Sequence, residues 1–283
     1  MNWMELIEQN IIYIVTALAG FSVFLFLIIL VLLIKQRKLN KKYKKFMTGN
    51  SGENLETVII NRFNDIDKLK EDSDIIRNEI KKINETLYKV VGSSLKAGNM
   101  PLVIGGDHSI ATGTLLGVQS VYKNIGVIWM DAHGDYNTEE TTLTGNFHGM
   151  SLAAAAGVGM REMTTFKPKD IPYINPEKIA IIGARSLDPE EAVLLRKTGV
   201  NVFTIEDIDM YGLRSIMQKA IDIVESGTEG FQLSFDLDVV SPTDAPGVGT
   251  PVKGGLTYRE AHLAVGMVSR RQKLRSLEFV ELN

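Results

Sequence analysis

Six short apolar runs, spread over the last two thirds of the chain, do most to fix what it can fold into. They are PLVIGG (101–106), NIGVIWMDAH (124–133), KIAIIGA (178–184), VNVFTI (200–205), FQLSFDLDVV (231–240) and LEFVEL (277–282). Helix-like stretches lie between them at 188–198, 212–226 and 257–270. Strands that are apolar along their whole length need cover on both faces, and intervening helices supply it. The pattern therefore predicts an α/β fold, a parallel sheet with helices on both faces. With 283 residues, 45% of them hydrophobic, and a net charge of -3, most of the chain is globular and carries no basic field to attract nucleic acid. There are no cysteines, so disulfides, thiolate metal sites and a cysteine nucleophile are excluded.

The polar residues sit where such a sheet places chemistry, at the carboxyl ends of its strands. Asp107 and His108 close the first run, and Asp131, His133 and Asp135 close the second. Asp236 and Asp238 follow FQLSF, and Glu281 ends the last run. Carboxylates gathered this way repel one another and are costly to desolvate. A multiply charged cation resolves that conflict. Aspartate and histidine ligands without cysteine suit Mn, Mg, Fe or Zn, with Mn favoured by a carboxylate-rich octahedral site. Six candidate ligands exceed the need of one ion. Two ions about 3.5–4 Å apart would use them all and would yield hydroxide from a bridging water at neutral pH, which points to hydrolysis. Each piece also has a plainer reading. Asp236 and Asp238 can cap the next turn, and His108 can be a structural histidine bonded to a backbone carbonyl.

The first ninety residues have a different texture. Residues 11–34 (IIYIVTALAGFSVFLFLIILVLLI) carry no charge. About 24 residues at roughly 1.5 Å each reach about 36 Å, enough to cross a hydrocarbon core, so a transmembrane helix is expected. A signal peptide would have a shorter core and a positive flank, whereas Glu5 and Glu8 precede this one. The basic stretch KQRKLNKKYKK (35–45) puts the following side in the cytoplasm by the positive-inside rule, with residues 1–10 outside. After a loop at 46–54, Ile59, Ile66, Ser73, Ile80 and Leu87 recur every seven residues. Arg62, Leu69, Ile76, Ile83 and Val90 form the companion series. This predicts a heptad helix over 55–90, read either as a coiled coil or as one amphipathic helix packed on the following domain. The catalytic domain is expected over 91–283.

The motifs GGDHS (105–109), DAHGDYN (131–137), GNFHGM (145–150) and SFDLDVVSP (234–242), with GTPVKGGLTYRE (249–260), resemble the signatures of the ureohydrolases, and most closely those of arginase. The resemblance implies that His108, Asp131, Asp135 and Asp236 hold one Mn ion, and that Asp131, His133, Asp236 and Asp238 hold the other, with Asp131 and Asp236 bridging. It implies attack of a bridging hydroxide on the guanidinium carbon of arginine, giving ornithine and urea. His148 would shuttle the proton, and Asp135, His148 and Glu281 would be the catalytic residues. Glu281 would bind the guanidinium, with Thr250 beside it. Asn137, Thr144 and Asn146 would take the α-carboxylate, and Asp188 the α-amino group. By itself, Asp188 in LDPEE also reads as an ordinary helix cap followed by Pro189. Thr144 stands where the family often has serine. The family's upstream strands and final helix have no counterpart here, so a domain trimmed at both ends and fused to the membrane and heptad segments is expected. The competing functions are an agmatinase-like or other guanidino hydrolase, and an inactive membrane-anchored coiled-coil protein. The arginase resemblance also carries an expectation of a homo-oligomer.

Overall fold

The computed structural model describes residues 28–42 and 55–283. The proposed membrane span lies outside the described residues up to residue 27, and residues 28–42 are helical with exposed side chains. Among the described residues no helix is long and apolar enough to cross a membrane. The chain divides into two compact units, Met1–Ser73 and Asp74–Asn283.

The heptad helix is α1, Leu55–Lys96. It runs past the boundary expected at residue 90, and its second half is part of the second unit. In that half Asn84, Val91 and Leu95 are buried while Ile76, Ile83 and Val90 stay exposed. Ile80 packs beside Met150, Met160 and Met163. The contact is close because the facing helix carries glycine. A Cβ at Gly113 would fall 2.4 Å from the Asn84 carbonyl oxygen. The Asn84 side chain accepts from the Gly113 amide and donates to the Ser109 carbonyl at 3.0 Å, so a buried amide is satisfied at both ends.

Beyond α1 come β1 (Leu102–Ile104), α2 (Ala111–Gln119), β2 (Ile125–Met130), α3 (Ser151–Ala155), β3 (Ile179–Ala184), α4 (Pro189–Thr198) and β4 (Asn201–Thr204). They are followed by α5 (Ile205–Tyr211), α6 (Leu213–Glu225), β5 (Gly230–Asp236), α7 (Tyr258–Ser269) and β6 (Leu274–Val280). The six strands form one parallel sheet in the order β1-β6-β5-β2-β3-β4. Every predicted run is a strand.

Alternate residues of the central strands feed two cores. Ile128 and Met130 of β2 face α5, α6 and α7, in a cluster with Ile216, Ile221 and Val268. Val127 and Trp129 face α1, α2 and α4, beside Val91, Leu115 and Leu195. Burying each such side chain contributes about 1.5–3 kcal/mol, which is what holds the central strands in register. From β2 the chain runs outward to β3 and β4, then returns to place β5 on the other side of β2. The switch point of the sheet therefore lies between β2 and β5, where an open parallel sheet leaves a crevice at its carboxyl edge.

Candidate metal-binding active site

The ladder between β2 and β5 pairs Met130 with Phe235. One residue further along, Asp131 and Asp236 emerge side by side at the switch point. His108 enters from the turn after β1, in a short 3-10 turn, His108–Ile110, that Asp107 caps. Asp238 follows in the turn after β5, where the Asp236 carboxylate accepts from the Asp238 amide at 2.8 Å. Asp236 is thus both a turn cap and a member of the cluster; the plain reading and the functional one hold together.

The predicted ligands converge in two groups. His108 Nδ1 lies 3.2 Å from Asp131 Oδ2, 3.0 Å from Asp135 Oδ2 and 3.0 Å from Asp236 Oδ2. His133 Nδ1 lies 3.0 Å from Asp238 Oδ2 and 3.4 Å from Asp131 Oδ1. Asp131 is common to both groups, offering one oxygen to each, whereas Asp236 gathers only with the first. Asp135 takes a left-handed backbone, φ 47°, which aspartate tolerates better than most residues, and its carboxylate reaches His108.

Burial and mutual repulsion set the protonation of the cluster. Burial, reinforced by the Asp131 charge, pushes Asp135 up to about 7 and Asp236 up to about 8. Burial also opposes the ionised form of Asp131, but His108 and His133 outweigh it and hold that carboxylate low. Burial would likewise depress His133, yet Asp131 and Asp238 raise it to about 11. These residues fit a divalent cation. The His108 Nδ1 is buried, faces three carboxylate oxygens and makes no hydrogen bond of acceptable geometry. Oxygen and imidazole donors of this kind suit hard or borderline divalent ions.

A cavity of about 230 Å³ opens beside the cluster. It is lined by His133, Asp135, Asn137, Thr144, Asn146, His148, Asp188 and Thr250, so nearly every predicted substrate residue meets in one place. Asn137 donates to Asp188 Oδ2 at 3.0 Å. Thr250 donates to Asp238 Oδ2 at 3.1 Å. Glu281 is outside this lining and groups instead with Asp107 and His148. It has a left-handed φ of 62°, and its Oε1 accepts from the His108 amide at 2.7 Å. Burial raises its carboxyl above the usual range.

Two residues of the site carried no predicted role. Asp107 bonds His148 Nδ1 at 3.0 Å, which raises the imidazole, while the Asp107 carboxyl, despite burial, is held down at about 2 by His148 and Ser109. Glu191 also lines the cavity, accepts from the Tyr136 amide at 2.8 Å, and is pushed up to about 7 by burial. Asp107 had a signal, its place inside GGDHS; Glu191 looked like the third residue of an ordinary helix start, and its carboxylate does accept from the Asp188 amide.

Fold and site together define a parallel α/β enzyme with a metal-capable acid–imidazole centre at the sheet switch point. The family model described as the arginase family matches residues 37–283. The arginase of Bacillus subtilis strain 168 is 44% identical over 236 residues, 83% of this chain and 78% of that one. A crystal structure of arginase from Bacillus cereus superposes with a TM-score of 0.70 at 48% identity, covering 73% of this chain and 71% of that one. An arginase from Entamoeba histolytica, solved in complex with L-ornithine, gives a TM-score of 0.69 at 35% identity, covering 73% and 70%. The chain belongs to the arginase family, and it is a hydrolase with the arginase fold.

Proposed function

We propose that this protein hydrolyses the guanidinium group of L-arginine to ornithine and urea, with two manganese ions per chain. The observation that carries the reading is the pair of carboxylate–imidazole groups joined through Asp131, next to a cavity lined by polar residues suited to an amino acid. His108, Asp131, Asp135 and Asp236 would hold one ion, and Asp131, His133 and Asp238 the other, with Asp236 as a second shared ligand. When bound, such a pair acidifies a shared water and supplies hydroxide at neutral pH.

The chain's own residues bind and orient the substrate. Glu281 suits the guanidinium through a charge-assisted contact. Asn137, Thr144, Asn146 and Asp188 line the cavity; the first three would take the α-carboxylate and Asp188 the α-amino group. The Asp107 carboxylate holds His148 at Nδ1, which leaves Nε2 to give a proton to the leaving amine. Residues 11–34 are proposed to tether this domain to a membrane on its cytoplasmic side, and the exposed stripe of α1 to pair copies of the chain as a coiled coil.

Urea release from arginine and from agmatine, with manganese added, tests the assignment together with metal content. Turnover of arginine, a strong preference for it over agmatine, and about two ions per chain are expected. Agmatine preferred would overturn the roles of Asn137 and Thr144. No turnover with no bound metal would leave the inactive tethered protein as the correct reading.

A further inference from the structure

Behind the carboxyl edge lies a polar layer that the fold itself does not need. Ser234 of β5 and Glu278 of β6 are register partners on adjacent parallel strands, so their side chains share one face. That face is covered by α2, where Thr114 meets the Glu278 carboxylate. Gln232, two residues back on β5, donates to Thr114 Oγ1 at 3.1 Å. Ser234, Gln232, Thr114 and Glu278 are all fully buried beside Leu115 and Val118. A fully buried carboxyl is expensive to desolvate, and replacing such a group by hydrophobic residues of similar size is often neutral or stabilising for a fold.

One contact links this layer to the site. Ser234 Oγ lies 2.7 Å from His108 Nε2, while the other ring nitrogen faces the three aspartates. Trp129 stacks on the same imidazole at 4.0 Å between ring centres and 6° between planes, so one face of the ring is packed and its tilt restrained. For Nδ1 to offer a lone pair, the proton must sit on Nε2 and go to Ser234 Oγ. The Ser234 hydroxyl then has its own proton to give. Glu278 Oε1 is buried and has no partner, one strand away. Burial raises the Glu278 carboxyl, and the Ser234 hydroxyl is among the groups that act against that rise, so turning this hydroxyl toward Oε1 would complete a chain His108 Nε2–H, Ser234 Oγ–H, Glu278 Oε1.

We propose that Glu278 is a positioning residue for the ion-binding nitrogen of His108, acting through the Ser234 hydroxyl. The proposal rests on His108 being a ligand, as in the function proposed above. Groups that orient a ligating histidine typically change metal affinity about 10–100-fold.

The test is a two-site manganese titration of the full chain, followed by metal analysis after dialysis, for wild type, Glu278→Gln, Ser234→Ala and the double variant. Wild-type binding of two ions establishes the site independently; its failure would sink the function and not this inference in particular. With two ions bound by wild type, each single variant is expected to weaken one ion about tenfold or more and to leave the other near its original affinity. The double variant is expected to lose no more than either single one, because both break one chain. A merely structural role would lower the melting temperature and leave the affinity ratio of the two ions unchanged. Folded variants binding both ions within twofold of wild type, or losing both equally, overturn the proposal. Should Glu278→Gln not fold, Ser234→Ala decides the matter by the same readout.

Discussion

The carboxyl edge of the sheet and the outer face of α1 break the ordinary inside–outside rule in opposite directions. At the edge, Asp131, Asp135, Asp236 and Asp238 are buried. Along α1, Ile66, Leu69, Ile76, Ile83 and Val90 are all exposed by about half or more, from 47% to 67%. Buried charge asks for an opposite charge, and an exposed apolar stripe asks for another apolar surface. The two demands differ in strength. Electrostatic interactions in a water-excluded site are strong and directional, whereas a stripe of single side chains on a helix is worth little until a partner covers it.

The largest effect should come from the residue on which the buried cluster turns. Asp131→Asn removes the carboxylate common to both groups and is expected to lower arginine turnover at least about a hundredfold, since a metal centre supplies several kcal/mol of barrier reduction. Asn keeps the shape, but it turns toward the Trp129 indole or the His133 amide a donor where an accepting oxygen stood, so a lower melting temperature with the fold retained is expected. Urea release and thermal melting, measured on the same preparation, check both halves. A variant retaining near-normal turnover would remove the cluster from the mechanism.

Next in size is the contrast within α1 itself. Val91 is buried against the domain, and Val90 beside it is exposed. Val91→Ala is expected to cost about 1–3 kcal/mol in unfolding free energy, while Val90→Ala should stay within about 0.5 kcal/mol. Denaturant unfolding of the two variants decides it. Equal effects would mean that the second half of α1 does not dock as described.

The buried cluster also predicts how stability follows pH. Asp135, Asp236 and Glu191 have folded values of about 7, 8 and 7, above their ordinary carboxylate values. A folded state that holds protons more tightly than the unfolded one loses stability as pH rises through that interval. His133, raised to about 11, keeps its contribution in full at low pH and begins to lose it only above its ordinary value near 6.5. Asp107, held at about 2, already contributes in full by pH 5. Metal-free protein should therefore lose stability from about pH 5 to about pH 8. With manganese the sign should reverse, because ligands must shed protons to bind. Melting temperatures across this range, with chelator and with manganese, test the reversal; parallel curves would refute it.

Most of this was legible in the residues. The strands were readable because each is an unbroken apolar run, and their chemistry was readable because polar residues stop those runs at one end. GGDHS, DAHGDYN and SFDLD could be placed together once the sheet was taken as parallel. What stayed hidden depends on three-dimensional neighbours. Glu278 sits inside LEFVEL and looks like the polar residue of a half-exposed strand, yet it is fully buried under α2. Asn84 belongs to neither heptad series, yet its side chain accepts from the Gly113 amide. The heptad could not say which of its residues the domain would cover, because that is decided by the small side chains of α2, far along the chain.

The smallest expected effect concerns the partner that the exposed stripe would take. With Ile66 and Leu69 on the seam, the flanking positions are Asp65 and Asp72 on one side and Lys70 and Arg77 on the other. In a parallel in-register pair, Asp65 faces Lys70 of a second copy and Asp72 faces its Arg77; an antiparallel pair would set like charges together. Arg77 already bonds Glu162 at 2.8 Å and Asp65 lies 3.8 Å from Arg62 within the same chain, so both matches compete with intrachain contacts. Such exposed pairs are worth about 0.2–1 kcal/mol each and fade with salt. Leu69→Asp should therefore shift a dimer toward monomer in analytical ultracentrifugation of the full chain in detergent, with arginine turnover per chain unchanged. Asp65→Lys should weaken association only modestly, and more so at low ionic strength. An association state indifferent to both substitutions would leave the stripe without a second copy as its cover, and would sharpen the contrast with the buried edge, whose demand for a partner is not optional.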